Sequence, residues 1–68
     1  MMIQITVNGA AHRLERPLAL AELLGRLELA GKRVAVERNG EIVPRSSHSR
    51  TLVADGDSLE IVVAVGGG

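Results

Sequence analysis

An α+β fold, one main helix packed on a mixed sheet of four to five strands, is the architecture this sequence predicts. Three observations carry the prediction. Runs rich in β-branched residues alternate with period two near the start, in the middle and at the end of the chain. Two Asn-Gly pairs, Asn8-Gly9 and Asn39-Gly40, sit where such runs must reverse. Between the two hairpins so defined, Leu20, Leu23, Leu24 and Leu27 recur at i, i+3, i+4 and i+7, the stripe of one amphipathic helix.

Taken in order, Ile3, Ile5 and Val7 share one face of the first strand, and Gln4 and Thr6 share the other. Asn8-Gly9 accepts the positive φ angles of a two-residue turn, and the chain returns through residues 10–15 with Leu14 facing inward. Pro17 ends this strand because it has no N–H for a ladder. The helix start is imperfect. Glu22 can supply the N3 half of a capping box, but Ala19 stands where Ser or Thr belongs, a loss of about 1 kcal/mol. Gly25 within the helix costs up to about 1 kcal/mol more. Gly31 suits the left-handed position that stops a helix, with Lys32 and Arg33 close to its negative end.

A third strand follows, in which Val34 and Val36 alternate with Ala35 and Glu37. It turns at Asn39-Gly40 into Glu41-Ile42-Val43 and halts at Pro44. Residues 45–58 are polar and turn-rich, held down by Leu52 and Val53, with a turn at Asp55-Gly56-Asp57. The last strand covers residues 59–65, with Leu59, Ile61, Val63 and Val65 inward. The first and last strands are the most apolar, so they are expected side by side at the sheet centre. Hairpin, helix, hairpin and final strand make a β-grasp, or ubiquitin-like, roll over residues 1–65, with a tail at 66–68.

Composition excludes several classes of function. The 68 residues allow one small domain, whose 46% hydrophobic content includes no aromatic residue. Without cysteine there is no disulfide, no thiol nucleophile and no thiolate metal site, and His12 and His48 alone do not make a metal cage. A net charge of +0 and the missing base-stacking rings argue against a nucleic-acid partner. No apolar run approaches the ~20 residues that span a bilayer, and the N-terminus lacks a signal-peptide pattern. The expectation is a cytoplasmic protein with no membrane partner.

Candidate motifs reduce in number when weighed against plainer readings. Gly25 to Lys32 has the wrong spacing for a phosphate loop and closes a helix rather than opening one. Ser46, Ser47, His48 and Ser49 lack an orienting acid and an oxyanion hole, so they read as solvated turn residues, and His12 as a strand residue. Asp55 and Asp57 are too few for a calcium loop and suit turn hydrogen bonds. No catalytic constellation remains, and the chain is not read as an enzyme.

Gly66, Gly67 and Gly68 are different. A carboxylate carried on residues without Cβ atoms fits a narrow channel and bends toward a phosphate without steric penalty. A short glycine stalk on a strand combines reach with a fixed base. On the outer face of that strand, Val62 and Ala64 lie opposite the inward residues and leave apolar surface near the tail for a partner.

The run Ala35-Val36-Glu37-Arg38-Asn39-Gly40-Glu41-Ile42-Val43-Pro44-Arg45-Ser46 resembles the ThiS family, the sulfur-carrier proteins of thiamin thiazole biosynthesis. So do Asp55-Gly56-Asp57, the apolar strand after it and the terminal Gly67-Gly68, and the resemblance extends over nearly the whole chain. Relatives often carry an aromatic residue in the last strand and another near His48, and this chain has neither. The resemblance implies that an E1-like adenylyltransferase of the ThiF type uses ATP and Mg²⁺ to adenylate the Gly68 carboxylate. Sulfur from a cysteine desulfurase, delivered as a persulfide, then gives a thiocarboxylate, which a thiazole synthase of the ThiG type consumes. No cofactor would be bound by the chain itself. A small subunit of molybdopterin synthase, a carrier for tRNA thiolation and a non-covalent β-grasp binding module are the alternatives.

Overall fold

The computed structural model describes residues 1–64, so Val65, Gly66, Gly67 and Gly68 lie outside the described residues. Alternation forms strands where expected: β1 (Ile3–Val7), β2 (Ala10–Leu14), β4 (Val34–Arg38), β5 (Glu41–Val43) and β7 (Ser58–Val63). Two further two-residue strands, β3 (Leu18–Ala19) and β6 (Leu52–Val53), pair with each other. Among the described residues one α-helix, α1, runs Leu20–Arg26, and a short 3-10 helix covers Arg45–Ser47. The main sheet has the order β2-β1-β7-β4-β5, antiparallel except for the parallel pair β1–β7. This is the β-grasp arrangement, with β7 in the middle and β1 beside it.

Both Asn-Gly turns adopt positive φ, 52° and 85° in the first and 52° and 86° in the second. Their asparagines also hold β7. The parallel ladder to β1 ends where the first turn begins, and the Asn8 side chain extends it. Its Oδ1 accepts from Ile61 N–H at 2.8 Å, and its Nδ2 donates to Ile61 O at 3.0 Å. From the other side, Asn39 Oδ1 accepts from Ser58 N–H at 2.9 Å, and Asn39 N–H donates to Ser58 O at 2.8 Å.

Ile3, Ile5, Val7, Leu14, Val36, Leu59 and Ile61 from the sheet meet Leu20, Leu23 and Leu24 of the helix, and Leu18 and Val53 close the core. Each fully buried aliphatic side chain stabilises the fold by about 1.5–3 kcal/mol relative to leaving it exposed. Val63, expected inward, is 38% exposed. Beyond Ile61 the strand has a ladder neighbour on one side only, β4, and the helix has already ended. Leu52 is also exposed, so of the two apolar residues expected to hold the polar segment only Val53 is buried.

The helix ends earlier than the Gly31 stop signal. Glu28, not Gly31, takes the left-handed position after the helix, with φ of 61°. Glu28 N–H bonds Gly25 O and Leu29 N–H bonds Leu24 O, the paired bonds of a Schellman motif. A continued helix would place Leu29 about 140° around the axis from Leu24, off the buried stripe. Ending the helix at Arg26 lets Leu29 fold back onto the core, which offsets the strain at Glu28. Gly31 serves the next turn, where Lys32 N–H bonds Leu29 O.

No side chain caps the helix start at Ala19. Backbone carbonyls from the 45–53 segment do so instead. Leu20 N–H donates to Thr51 O at 2.8 Å and Ala21 N–H to His48 O at 2.9 Å. Glu22, the candidate capping acid, pairs with Arg16 and Arg26. Arg26 also grips Glu15 through two hydrogen bonds, and this contact brings the Glu15 carboxyl down to about 2.

Asp57 makes the expected turn hydrogen bond, to Ala54 N–H, and is also buried. Its carboxylate accepts from Ala54 N–H, Arg38 Nε and Asn39 Nδ2, at 2.8, 2.8 and 3.0 Å. Burial alone would raise its pKa, but these three donors outweigh burial and hold it below the usual Asp range. A carboxylate of this kind stabilises the fold above the unfolded-state pKa of about 3.9 and loses that contribution as pH falls through the lower folded value. Asp57→Asn is therefore expected to lower stability at neutral pH by roughly 1–3 kcal/mol. The gap to the wild type should close below about pH 4, as followed by urea melts with far-UV circular dichroism. In the opposite direction, Gly25→Ala meets open space. It should raise stability by up to about 1 kcal/mol in the same assay.

Candidate functional site

The site builds from the end of β7. Its last inward anchors are Leu59, fully buried, and Ile61, held by Asn8 on the β1 side. On the β4 side the register runs Val36↔Ile61, Ala35↔Val62 and Val34↔Val63. One further bond follows, from Ala64 N–H to Arg33 O at 2.8 Å. The chain is therefore tied to the sheet up to the last described residue. The predicted handle, Gly66, Gly67 and Gly68, begins two residues later and lies outside the described residues.

On the outer face, Val62 is 65% exposed and Ala64 is exposed, as their alternation with the core residues requires. The 45–53 segment does not cover them, because it packs at the helix start. Ile42 joins the same face and is 76% exposed. Sequence reading passed over it, although the two-residue turn carried the signal. That turn sets Glu37 opposite Ile42, so Ile42 must point the same way as Glu37 and Ala35. Glu37 and Glu60 stand directly opposite each other on this face, and neither makes an ion pair among the described residues. Opposed like charges weaken a strand pair.

Other candidates resolve differently. His48 is 6% exposed and its Nε2 lies 3.1 Å from Val43 O, which correct the expectation of a solvated residue. A carbonyl only accepts, so the proton sits on Nε2 and ties the 45–49 turn to β5. Ser46 and Ser49 are exposed, and His12 lies in β2 as expected. Asp55 accepts from Gln4 N–H at 2.7 Å. Among the described residues no group of three His, Cys, Asp or Glu side chains can hold a metal ion. None of their helices is long and apolar enough to cross a membrane.

Comparison with known proteins agrees with this geometry. The crystal structure of a thiamine biosynthesis protein (ThiS) from Geobacter metallireducens superposes with a TM-score of 0.82 at 38% identity. The match covers 97% of this chain and 100% of that one. A thiazole synthase of Paramagnetospirillum magneticum is 44% identical over 66 residues. These are 97% of this chain and 20% of that protein, so the chain spans about a fifth of the relative's length. An uncharacterized protein, ycf40, of Pyropia yezoensis is 38% identical over 97% of this chain and 93% of its own. The family profile described as ThiS family matches residues 5–68, which takes in the whole of β7 and the glycine tail. With a solved ThiS structure sharing its fold at 38% identity and the family profile matching residues 5–68, the chain belongs to the ThiS family, the sulfur-carrier family of thiamin biosynthesis.

Proposed function

We propose that this protein carries sulfur for assembly of the thiamin thiazole on the carboxylate of Gly68. The observation that supports the reading best is the coincidence of two facts. The family match runs through residue 68, and β7 is tied to its neighbours as far as Ala64. A carrier without cysteine must hold sulfur on some other group, and the terminal carboxylate is the group such a tail presents.

The chemistry then divides between this chain and its partners. The Gly68 carboxylate attacks the α-phosphorus of ATP in an E1-like adenylyltransferase of the ThiF type, where Mg²⁺ offsets the phosphate charge, and pyrophosphate leaves. The acyl-adenylate is a better electrophile than the carboxylate because AMP is a good leaving group. The terminal sulfur of a persulfide, supplied through a cysteine desulfurase, attacks the acyl carbon and AMP departs. A thiol then exchanges with the resulting acyl disulfide, leaving the Gly68 thiocarboxylate and a disulfide on the donor side. A thiazole synthase takes that sulfur. The similarity to part of a polypeptide named thiazole synthase supports that partnership. This chain acts as co-substrate, and the nucleotide and redox chemistry belongs to its partners. Gly66 and Gly67 thread the channel, while Val62 and Ala64, joined by Ile42, meet the partner's surface. The opposed Glu37 and Glu60 weaken the sheet with no return inside the fold, consistent with a face kept for another protein.

Incubation with ATP, Mg²⁺, the adenylyltransferase and a persulfide source is expected to raise the mass by the exchange of one oxygen for one sulfur, located at Gly68 by fragmentation. An unchanged mass, with the partner active on its own carrier, would exclude the reading. Val62→Asp should weaken binding to the adenylyltransferase at least about tenfold. Its thermal melt should not move, since the side chain is largely in solvent. Equal affinity of variant and wild type in a calorimetric titration would remove this face from the interface.

A further inference from the structure

A second feature lies at the root of the tail. Between the end of α1 and the turn at residues 45–49 is an open cavity of about 250 Å³. Its wall is mixed: Leu24, Leu29 and Val34 supply apolar surface, and Lys32, Arg45 and Ser49 polar surface, with the tethered His48 beside them. Neither Lys32 nor Arg45 makes an ion pair among the described residues.

The volume lies below the ~300 Å³ at which pockets for drug-sized ligands begin. It suits one apolar side chain. The surrounding unpaired cations favour an anchor flanked by carboxylates. Position suggests the protein that brings it. Val34 lies opposite Val63, and the Arg33 carbonyl accepts from Ala64 N–H, so a partner that takes the end of β7 meets this cavity.

We propose that the cavity is a docking socket for the adenylating partner, which inserts one apolar side chain from an acidic surface segment against Lys32 and Arg45. The inference rests on the carrier reading and adds a contact on the helix side, across the sheet from Val62. It makes recognition two-sided: the outer sheet face and the socket bracket the start of the tail.

The test compares wild type, Lys32→Glu/Arg45→Glu and Ala21→Met in calorimetric titrations with the adenylyltransferase at low and high salt, with thermal melts as the control for folding. The charge reversal should reduce affinity at least about tenfold and flatten its salt dependence. Ala21→Met, which narrows the cavity from α1 without changing charge, should reduce affinity at both salt concentrations. Unchanged affinities for both variants, beside a wild-type chain that is adenylated, overturn the socket and leave the carrier reading standing. Loss of affinity for a thiazole synthase alone overturns its assignment to the adenylating partner. A wild-type chain that the adenylyltransferase neither binds nor adenylates overturns both.

Discussion

The placement of β7 at the centre of the sheet is the constraint on which the rest depends. One flank is a parallel ladder to β1 and the other an antiparallel ladder to β4. Each flank is closed by an asparagine from a hairpin turn, Asn8 against Ile61 and Asn39 against Ser58. The asparagine serves twice, since it accepts left-handed backbone more readily than most residues and its amide imitates a peptide group. Asp57 adds a third tie by joining the entry to β7 with the β4–β5 hairpin through Arg38 and Asn39. In a chain with no aromatic residue and no disulfide, these polar ties set the register that aliphatic packing alone leaves loose.

The helix depends on the same economy of parts. Its start has no side-chain cap, and its first two N–H groups find carbonyls in the 45–53 segment, which is itself held by Val53 and by His48 on Val43. Helix, β3–β6 pair and polar segment therefore support one another, and none has a complete set of hydrogen bonds alone. Shortening the helix at Glu28 brings Leu29 onto the core and leaves the cavity below it open. The opening lies next to the strand that carries the tail.

The proposed function is one of presentation, and the chain is tied to the sheet as far as Ala64. On the proposed reading, a rigid base under a short stalk raises the effective concentration of the group it carries in a partner's site. Glycine supplies slenderness there, at the entropic cost that comes with having no side chain.

How much was legible in the residues follows from the range of the interactions concerned. Alternation in β1, β4 and β7, the two Asn-Gly turns and the Leu20–Leu24 stripe are local patterns, and they sufficed for the β-grasp. The ThiS resemblance lay in contiguous runs such as residues 35–46, and for the same reason it was readable. The helix end at Glu28, the β3–β6 pair, the burial of His48 and Asp57 and the exposure of Val63 escaped, because each is settled by a neighbour distant in sequence. Local propensity favoured Gly31 as the stop, yet Leu29 reaching the core outweighed it. The sequence alone thus determined the strands of the main sheet and the two Asn-Gly turns, which depend on neighbours a few residues apart. Only the tertiary structure decided which polar groups are buried, where the helix ends and what surrounds the root of the tail, because desolvation and packing are properties of the assembled core.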